Sequence, residues 1–156
     1  MSRAKDIVEH ASAAGILIAT AESCTGGMIS AAITDIAGSS RVLDRGFVTY
    51  SNAAKMEMLG VSANTLETHG AVSEQVAAEM ATGALKHSNA TLTVSVTGIA
   101  GPGGSDFKPE GRVCFGIATE QGVETQQVDF GPLGREGVRS ATVAHALKLL
   151  LQKLPN

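Results

Sequence analysis

The sequence predicts an α/β fold: a three-layer α/β/α sandwich around a mixed, mostly parallel β-sheet. Three observations carry that expectation. Helical and strand patterns alternate along the chain, as they do where helices cover a sheet. Ile16-Leu17-Ile18-Ala19-Thr20-Ala21 is a short, nearly continuous apolar run, suited to a strand buried on both faces. The turn Glu120-Gln121-Gly122 is too short for a crossover, so the two strands it joins pair antiparallel and the sheet is mixed.

The elements follow in order. Residues 3–14 read as a helix, with Ile7, Val8, Ala11 and Ala14 at helical spacing and Gly15 as the stop. A strand over 16–21 leads into the turn Glu22-Ser23-Cys24-Thr25-Gly26-Gly27, and a second helix is expected over 28–36. Phe47-Val48-Thr49-Tyr50 reads as a strand, and Ser51 or Asn52 caps a short helix ending at Gly60. A further helical piece is expected over 62–69. Ser73 caps an Ala-rich helix reaching about His87. Residues 91–97 alternate Thr and Ser with Leu and Val, a strand pattern, and open into a Gly-Pro loop over 98–111. Strands over 113–118 and 123–130 and a helix over 134–153 complete the chain.

Bulk composition narrows the function. The 156 residues fit one domain over 1–156, large enough to bury a core without a metal or disulfide. Hydrophobic residues make up 44% and aromatic residues 3% with no Trp, so the core is built from Ala, Val, Ile, Leu and Met. Net charge is -3 and the Lys and Arg residues are scattered, which argues against nucleic acid as a partner. Tyr50 is the only Tyr, so stacking platforms for single strands are also missing. No apolar run approaches the roughly 20 residues of a membrane span, and the first ten residues hold no apolar signal core. A cytoplasmic protein with no membrane partner is expected. The Ala-rich helices suit a homo-oligomer, a dimer first, as well as they suit packing within one chain.

Four segments can carry chemistry. In Thr20-Ala21-Glu22-Ser23-Cys24-Thr25-Gly26-Gly27 a buried strand meets a helix start, where free N–H groups favour an anion. Thr25, Gly26 and Gly27 are therefore candidate substrate contacts, although the pattern also suits an ordinary capped turn and is not the Gly-x-Ser-x-Gly elbow. In the second segment, Gly46 to Lys55, Lys55 stands in the first turn of a helix, where the dipole favours the neutral amine that a lysine base needs. A solvated surface lysine has the same local pattern. The third, Ser95 to Gly104, offers the Thr97 hydroxyl and the Gly98 backbone at another strand end. It is neither a P-loop nor a Rossmann fingerprint. In the fourth, Arg135 and Arg139 share one helix face near its start, as a phosphate clamp or a surface charge pair would. The four histidines are isolated and no Cys-x-x-Cys occurs, so no metal site is expected.

Together these segments resemble the CinA C-terminal domain family, the nicotinamide-nucleotide amidohydrolases. The resemblance rests on Ala21-Glu22-Ser23-Cys24-Thr25-Gly26-Gly27, Tyr50-Ser51-Asn52 with Lys55, Gly70-Ala71-Val72-Ser73, Ser95-Val96-Thr97-Gly98-Ile99-Ala100-Gly101-Pro102, and Lys108-Pro109 with Gly111. It implies the three-layer fold. It also implies hydrolysis of nicotinamide mononucleotide to nicotinic acid mononucleotide and ammonia, in pyridine nucleotide recycling, with no cofactor and no metal. By the same resemblance Ser23 is the expected nucleophile, Lys55 its base and Tyr50 an assisting hydroxyl. Thr97 and Arg139 are expected to bind substrate or stabilise the intermediate. The substrate's 5′-phosphate is expected on a helix N-terminus and Arg139. Cys24 is the rival nucleophile, since a helix N-terminus can activate a thiolate. Two departures stand out. Many relatives carry an additional N-terminal domain for which the chain leaves no room. Glu110 also stands where a small apolar residue is more usual. A non-catalytic module that only binds the nucleotide is the alternative.

Overall fold

The structure, a computed structural model, describes residues 2–105 and 107–156. Its elements are α1 (Arg3–Ala14), β1 (Ile18–Glu22), α2 (Met28–Thr34), β2 (Leu43–Val48), α3 (Asn52–Leu59), α4 (Ala63–His69), α5 (Glu74–Lys86), β3 (Leu92–Gly98), β4 (Arg112–Thr119), β5 (Gly122–Asp129) and α6 (Gly134–Gln152). A 3-10 turn, Ser39–Arg41, precedes β2. The strands form one sheet in the order β2-β1-β3-β4-β5. β1 pairs parallel with both β2 and β3, whereas β4 pairs antiparallel with both β3 and β5. Four of the five strands therefore run the same way, and β4 alone is reversed.

Helices cover both faces. One core cluster joins Ile7 and Ala11 of α1, Ile29 and Ile33 of α2, and Val138 and Leu150 of α6 to Val94, Val96 and Phe115 of the sheet. The second, under α3, α4 and α5, gathers Leu59, Val61, Val76, Met80 and Ala84 with Ala21, Phe47 and Leu66. Each large aliphatic side chain buried here contributes about 1.5–3 kcal/mol. The helix ends follow their sequence signals. Ser2 caps α1 by accepting from the Lys5 N–H at 3.0 Å, and Gly15 ends it at φ 67°, a conformation costly for any residue with a Cβ.

The alternating polar residues of β3 do not face water. Thr93 and Ser95 donate their hydroxyls to the Ala81 and Ala77 carbonyls of α5, at 2.7 and 2.6 Å. Leu92, Val94 and Val96 fill the opposite face. Both faces are buried, and the hydroxyls are satisfied by the covering helix, as burial requires. The small face of α5, with Ala77, Ala81 and Ala84, lies against its own sheet and is buried within the chain. It approaches closely enough that a Cβ at Gly116 of β4 would stand 2.5 Å from the Ala77 carbonyl oxygen.

Boundaries of three elements differ from the sequence expectation by two residues or more. β1 begins at Ile18 rather than at 16 and takes in Glu22, which is expected in the turn, and β2 ends at Val48 rather than at Tyr50. β2 begins at Leu43 rather than at 47, although Leu43-Asp44-Arg45-Gly46 carries no strand pattern. It is an edge strand paired only with β1, so the buried neighbour sets its register while its outer side stays polar. α2 ends at Thr34, two residues short of the expected end. Among the described residues no helix is long and apolar enough to cross a membrane.

Candidate active site

β1, β2 and β3 run in one direction, so the segments that follow them emerge at the same edge of the sheet. There they enclose a cleft of about 380 Å³. Ser23, Cys24, Tyr50, Asn52, Lys55, Thr97 and Gly98 line it, together with the loop from Ile99 to Ser105, and Lys108 and Arg135.

Ser23 follows directly on β1. Its own N–H is donated to the Val96 carbonyl of β3 at 3.1 Å, which fixes the turn against the sheet. Lys55 comes from α3, whose start is set by Ser51 accepting from the Ala54 N–H at 3.0 Å. Helical side chains lean toward the N-terminus of their helix. The Lys55 side chain accordingly reaches back into the fold, where the residue is 1% exposed. Its Nζ lies 3.0 Å from Ser23 Oγ, 3.0 Å from the Thr49 carbonyl and 3.2 Å from the Tyr50 carbonyl. Ser23 and Lys55 are 32 positions apart in sequence. Burial pulls the Lys55 pKa below the ordinary lysine value, against a smaller opposing influence of the Cys24 thiol. A neutral amine here can donate its two N–H bonds to the two carbonyls and aim its lone pair at the Ser23 hydroxyl, the arrangement that activates a nucleophile.

Tyr50 meets this pair differently from the expectation. Its contact with Lys55 is made by the main-chain carbonyl, and the residue is 63% exposed at the rim of the cleft. The expected assisting hydroxyl is therefore not one of the three groups on the lysine amine. Cys24 is buried in the cleft wall, and burial pushes its thiol up to about 11, so it stays protonated near neutral pH.

The glycine-rich helix start is likewise not an open anion site. Thr25 is fully buried, and its hydroxyl donates to Glu22 Oε1 at 2.5 Å. The same carboxylate accepts the Ile29 and Ser30 N–H groups of α2 at 2.9 and 3.1 Å. Gly27, at the N-cap position, has no side chain to do this, so Glu22 caps α2 from the strand side. Thr25, Gly26 and Gly27 shape the turn and do not line the cleft.

A second glutamate repeats the device. Glu110 accepts the Gly103 N–H at 2.7 Å and the Gly134 N–H, at the first residue of α6, at 2.8 Å. It braces the glycine-rich loop against α6, which has no local capping side chain. Across the cleft, Lys108 ties this loop to the α4–α5 connection by donating to the His69 carbonyl at 2.8 Å and to the Val72 carbonyl at 2.5 Å. Thr97 Oγ1 donates to the Ala71 carbonyl at 2.8 Å. Gly98 is required by close approach: a Cβ there would meet Val113 Cγ2 at 2.7 Å and Cys24 Sγ at 3.2 Å.

The two arginines separate. Arg139, expected to bind substrate, is half-buried and donates Nε to the Cys24 carbonyl at 3.0 Å and Nη2 to the Thr25 carbonyl at 3.4 Å. It holds the backbone of the Ser23 turn from behind. Arg135, one turn earlier, lines the cleft. Glu22, Lys108 and Glu110 carry no role expected from the sequence. A carboxylate closing a buried apolar strand is the available signal for Glu22, because such a group must find donors. Among the described residues no group of three His, Cys, Asp or Glu side chains is placed to hold a metal ion.

The model of the CinA C-terminal domain matches residues 1–154 of the chain. The nicotinamide-nucleotide amidohydrolase PncC of Escherichia coli K12 is 49% identical over 154 residues, covering 98% of this chain and 93% of that protein. The protein of the same name from Enterobacter agglomerans is 56% identical over 143 residues, covering 90% and 87%. Among solved structures, the competence/damage inducible protein CihA of Agrobacterium tumefaciens superimposes with a TM-score of 0.90 at 47% identity, over 97% of this chain and 96% of that one.

Proposed function

The chain belongs to the CinA C-terminal domain family, and from that premise we propose that it hydrolyses the carboxamide of nicotinamide mononucleotide, releasing ammonia and nicotinic acid mononucleotide in pyridine nucleotide recycling. The observation that carries the reading is the buried contact of 3.0 Å between Lys55 Nζ and Ser23 Oγ at the floor of a cleft. The amidohydrolase names of relatives 49% and 56% identical support the substrate.

In the proposed reaction the neutral amine of Lys55 takes the Ser23 proton as Oγ attacks the carboxamide carbon. The cationic pyridinium makes that carbon more electrophilic. Charge develops on the carboxamide oxygen, where one preorganised donor is worth about 10²–10³ in rate. The Cys24 N–H suits this role. It follows the nucleophile in the chain and is donated to no carbonyl among the described residues, whereas the Ser23, Ile99 and Gly103 N–H groups are already engaged. Lys55 returns its proton to the departing ammonia, and water then cleaves the seryl ester by the same route. Thr97 and Gly98 form the wall beside the reacting amide. Arg139 acts through the backbone at Cys24 and Thr25, as a positioning residue. An enzyme of nucleotide recycling meets its substrate in the cytoplasm, and we place the protein there.

The test is ammonia release from nicotinamide mononucleotide by the purified protein, with Ser23→Ala as control. We expect turnover in the wild type and none in the variant, which still binds the nucleotide by calorimetry. Calorimetric binding to the wild type without ammonia release would replace the hydrolase by a nucleotide-binding module.

A further inference from the structure

The phosphate end of the substrate needs a partner, and the groups expected from the sequence to hold it already have partners within the chain. The N-terminus of α2 holds the Glu22 carboxylate and that of α6 holds Glu110, so neither helix start is free to receive an anion. Arg139 is spent on two backbone carbonyls. The cleft wall also carries side-chain charge, which attracts an anion from further away than a backbone N–H does. Although the chain as a whole carries a net charge of -3, the basic side chains among the described residues lining this cleft are Lys55, Lys108 and Arg135, with no carboxylate. Lys55 is buried at the nucleophile, and two donors of Lys108 are held by the His69 and Val72 carbonyls. Arg135 is exposed and makes no side-chain hydrogen bond or ion pair with the described residues, so its planar fork is available to a ligand. Its backbone is anchored, because the preceding residue, Gly134, is the one Glu110 holds.

Resting on the hydrolase reading above, we infer that Arg135 binds the 5′-phosphate and makes the cleft select a carboxamide mononucleotide over the corresponding nucleoside. Lys108 supplies its third donor to the same group. Discrimination therefore comes from one arginine at the start of α6, remote in sequence from the reacting serine.

The experiment compares nicotinamide mononucleotide with nicotinamide riboside on the wild type, Arg135→Gln and Arg135→Lys. A charge-assisted contact of this kind corresponds to a factor of about 10–100. The ratio of kcat/KM for nucleotide over nucleoside is expected to fall by that factor in Arg135→Gln, through KM rather than kcat, and by less in Arg135→Lys. A residue acting only on the fold would lower both substrates together, and an unchanged ratio would overturn the inference. The same ratio is read by calorimetry on Ser23→Ala protein, so an absence of hydrolysis, which would sink the hydrolase reading, leaves the role of Arg135 decidable.

Discussion

Replacing Lys55 by Met separates chemistry from stability. Met keeps most of the buried aliphatic stem and removes the amine that touches Ser23 Oγ and the Thr49 and Tyr50 carbonyls. A positioned general base contributes about 10²–10⁴ in rate, so ammonia release is expected to fall by at least that much. Stability changes far less. The carbonyls lose a donor, at about 1–3 kcal/mol for each one left dry, but the desolvated amine that burial penalises is removed too. The net effect is expected to stay within about 3 kcal/mol, measurable by urea denaturation. The pH profile supplies an independent reading. The neutral amine is the active form, so wild-type kcat/KM should rise with pH through a pKa below the ordinary 10.5. Stability is linked to the same shift. The folded pKa lies below the unfolded one, so between the two the unfolded chain binds more protons and stability rises with pH, reaching its full value above 10.5. A folded Lys55→Met protein that keeps a tenth or more of its turnover, or a wild-type rate that falls as pH rises toward this limb, would refute the assignment.

Three further predictions follow from neighbouring contacts. Cys24→Ala should retain turnover, because the thiol, raised to about 11, is not a thiolate at neutral pH; loss of ammonia release in a folded variant would make Cys24 the nucleophile. Glu22→Gln keeps one accepting oxygen but turns an NH₂ toward the Ser30 N–H, and should destabilise the protein by about 1–3 kcal/mol, seen as a melting temperature lower by roughly 2–4 °C per kcal/mol. Arg139→Lys cannot span the Cys24 and Thr25 carbonyls with the same fork, and should lower kcat more than it raises KM; a pure KM effect would return Arg139 to direct substrate binding.

The parts of this fold legible in the sequence are those fixed by local pattern. The apolar run ending in Ala21, the Gly15 and Gly60 stops, and the Ser51 and Ser73 caps all act within a few residues of where they stand. The juxtaposition of Ser23 and Lys55 comes from resemblance to a family, since nothing local says that two segments 32 positions apart converge. What stays hidden depends on which atom of a residue does the work. Tyr50 reads as a hydroxyl and contributes a carbonyl. Thr25, Gly26 and Gly27 read as an open anion site, but the anion is supplied from within by Glu22. The helical spacing of Arg135 and Arg139 places them on one face, yet one turn of helix sends Arg135 into the cleft and Arg139 onto the backbone behind it. The oddity of Glu110 is visible in the sequence, while its partners, Gly103 and Gly134, are not.

Because β4 runs against the other strands, its register on β3 pairs Val113 with Gly98 and Thr119 with Leu92. The Glu120-Gln121 connection therefore sits at the pole of the molecule opposite the cleft, and both residues are solvent-exposed. That pole is a place for engineering. A fluorophore, affinity handle or inserted domain carried at Gln121 reports on or immobilises the protein from its far side, with the sheet standing between the attachment and every residue that surrounds the substrate.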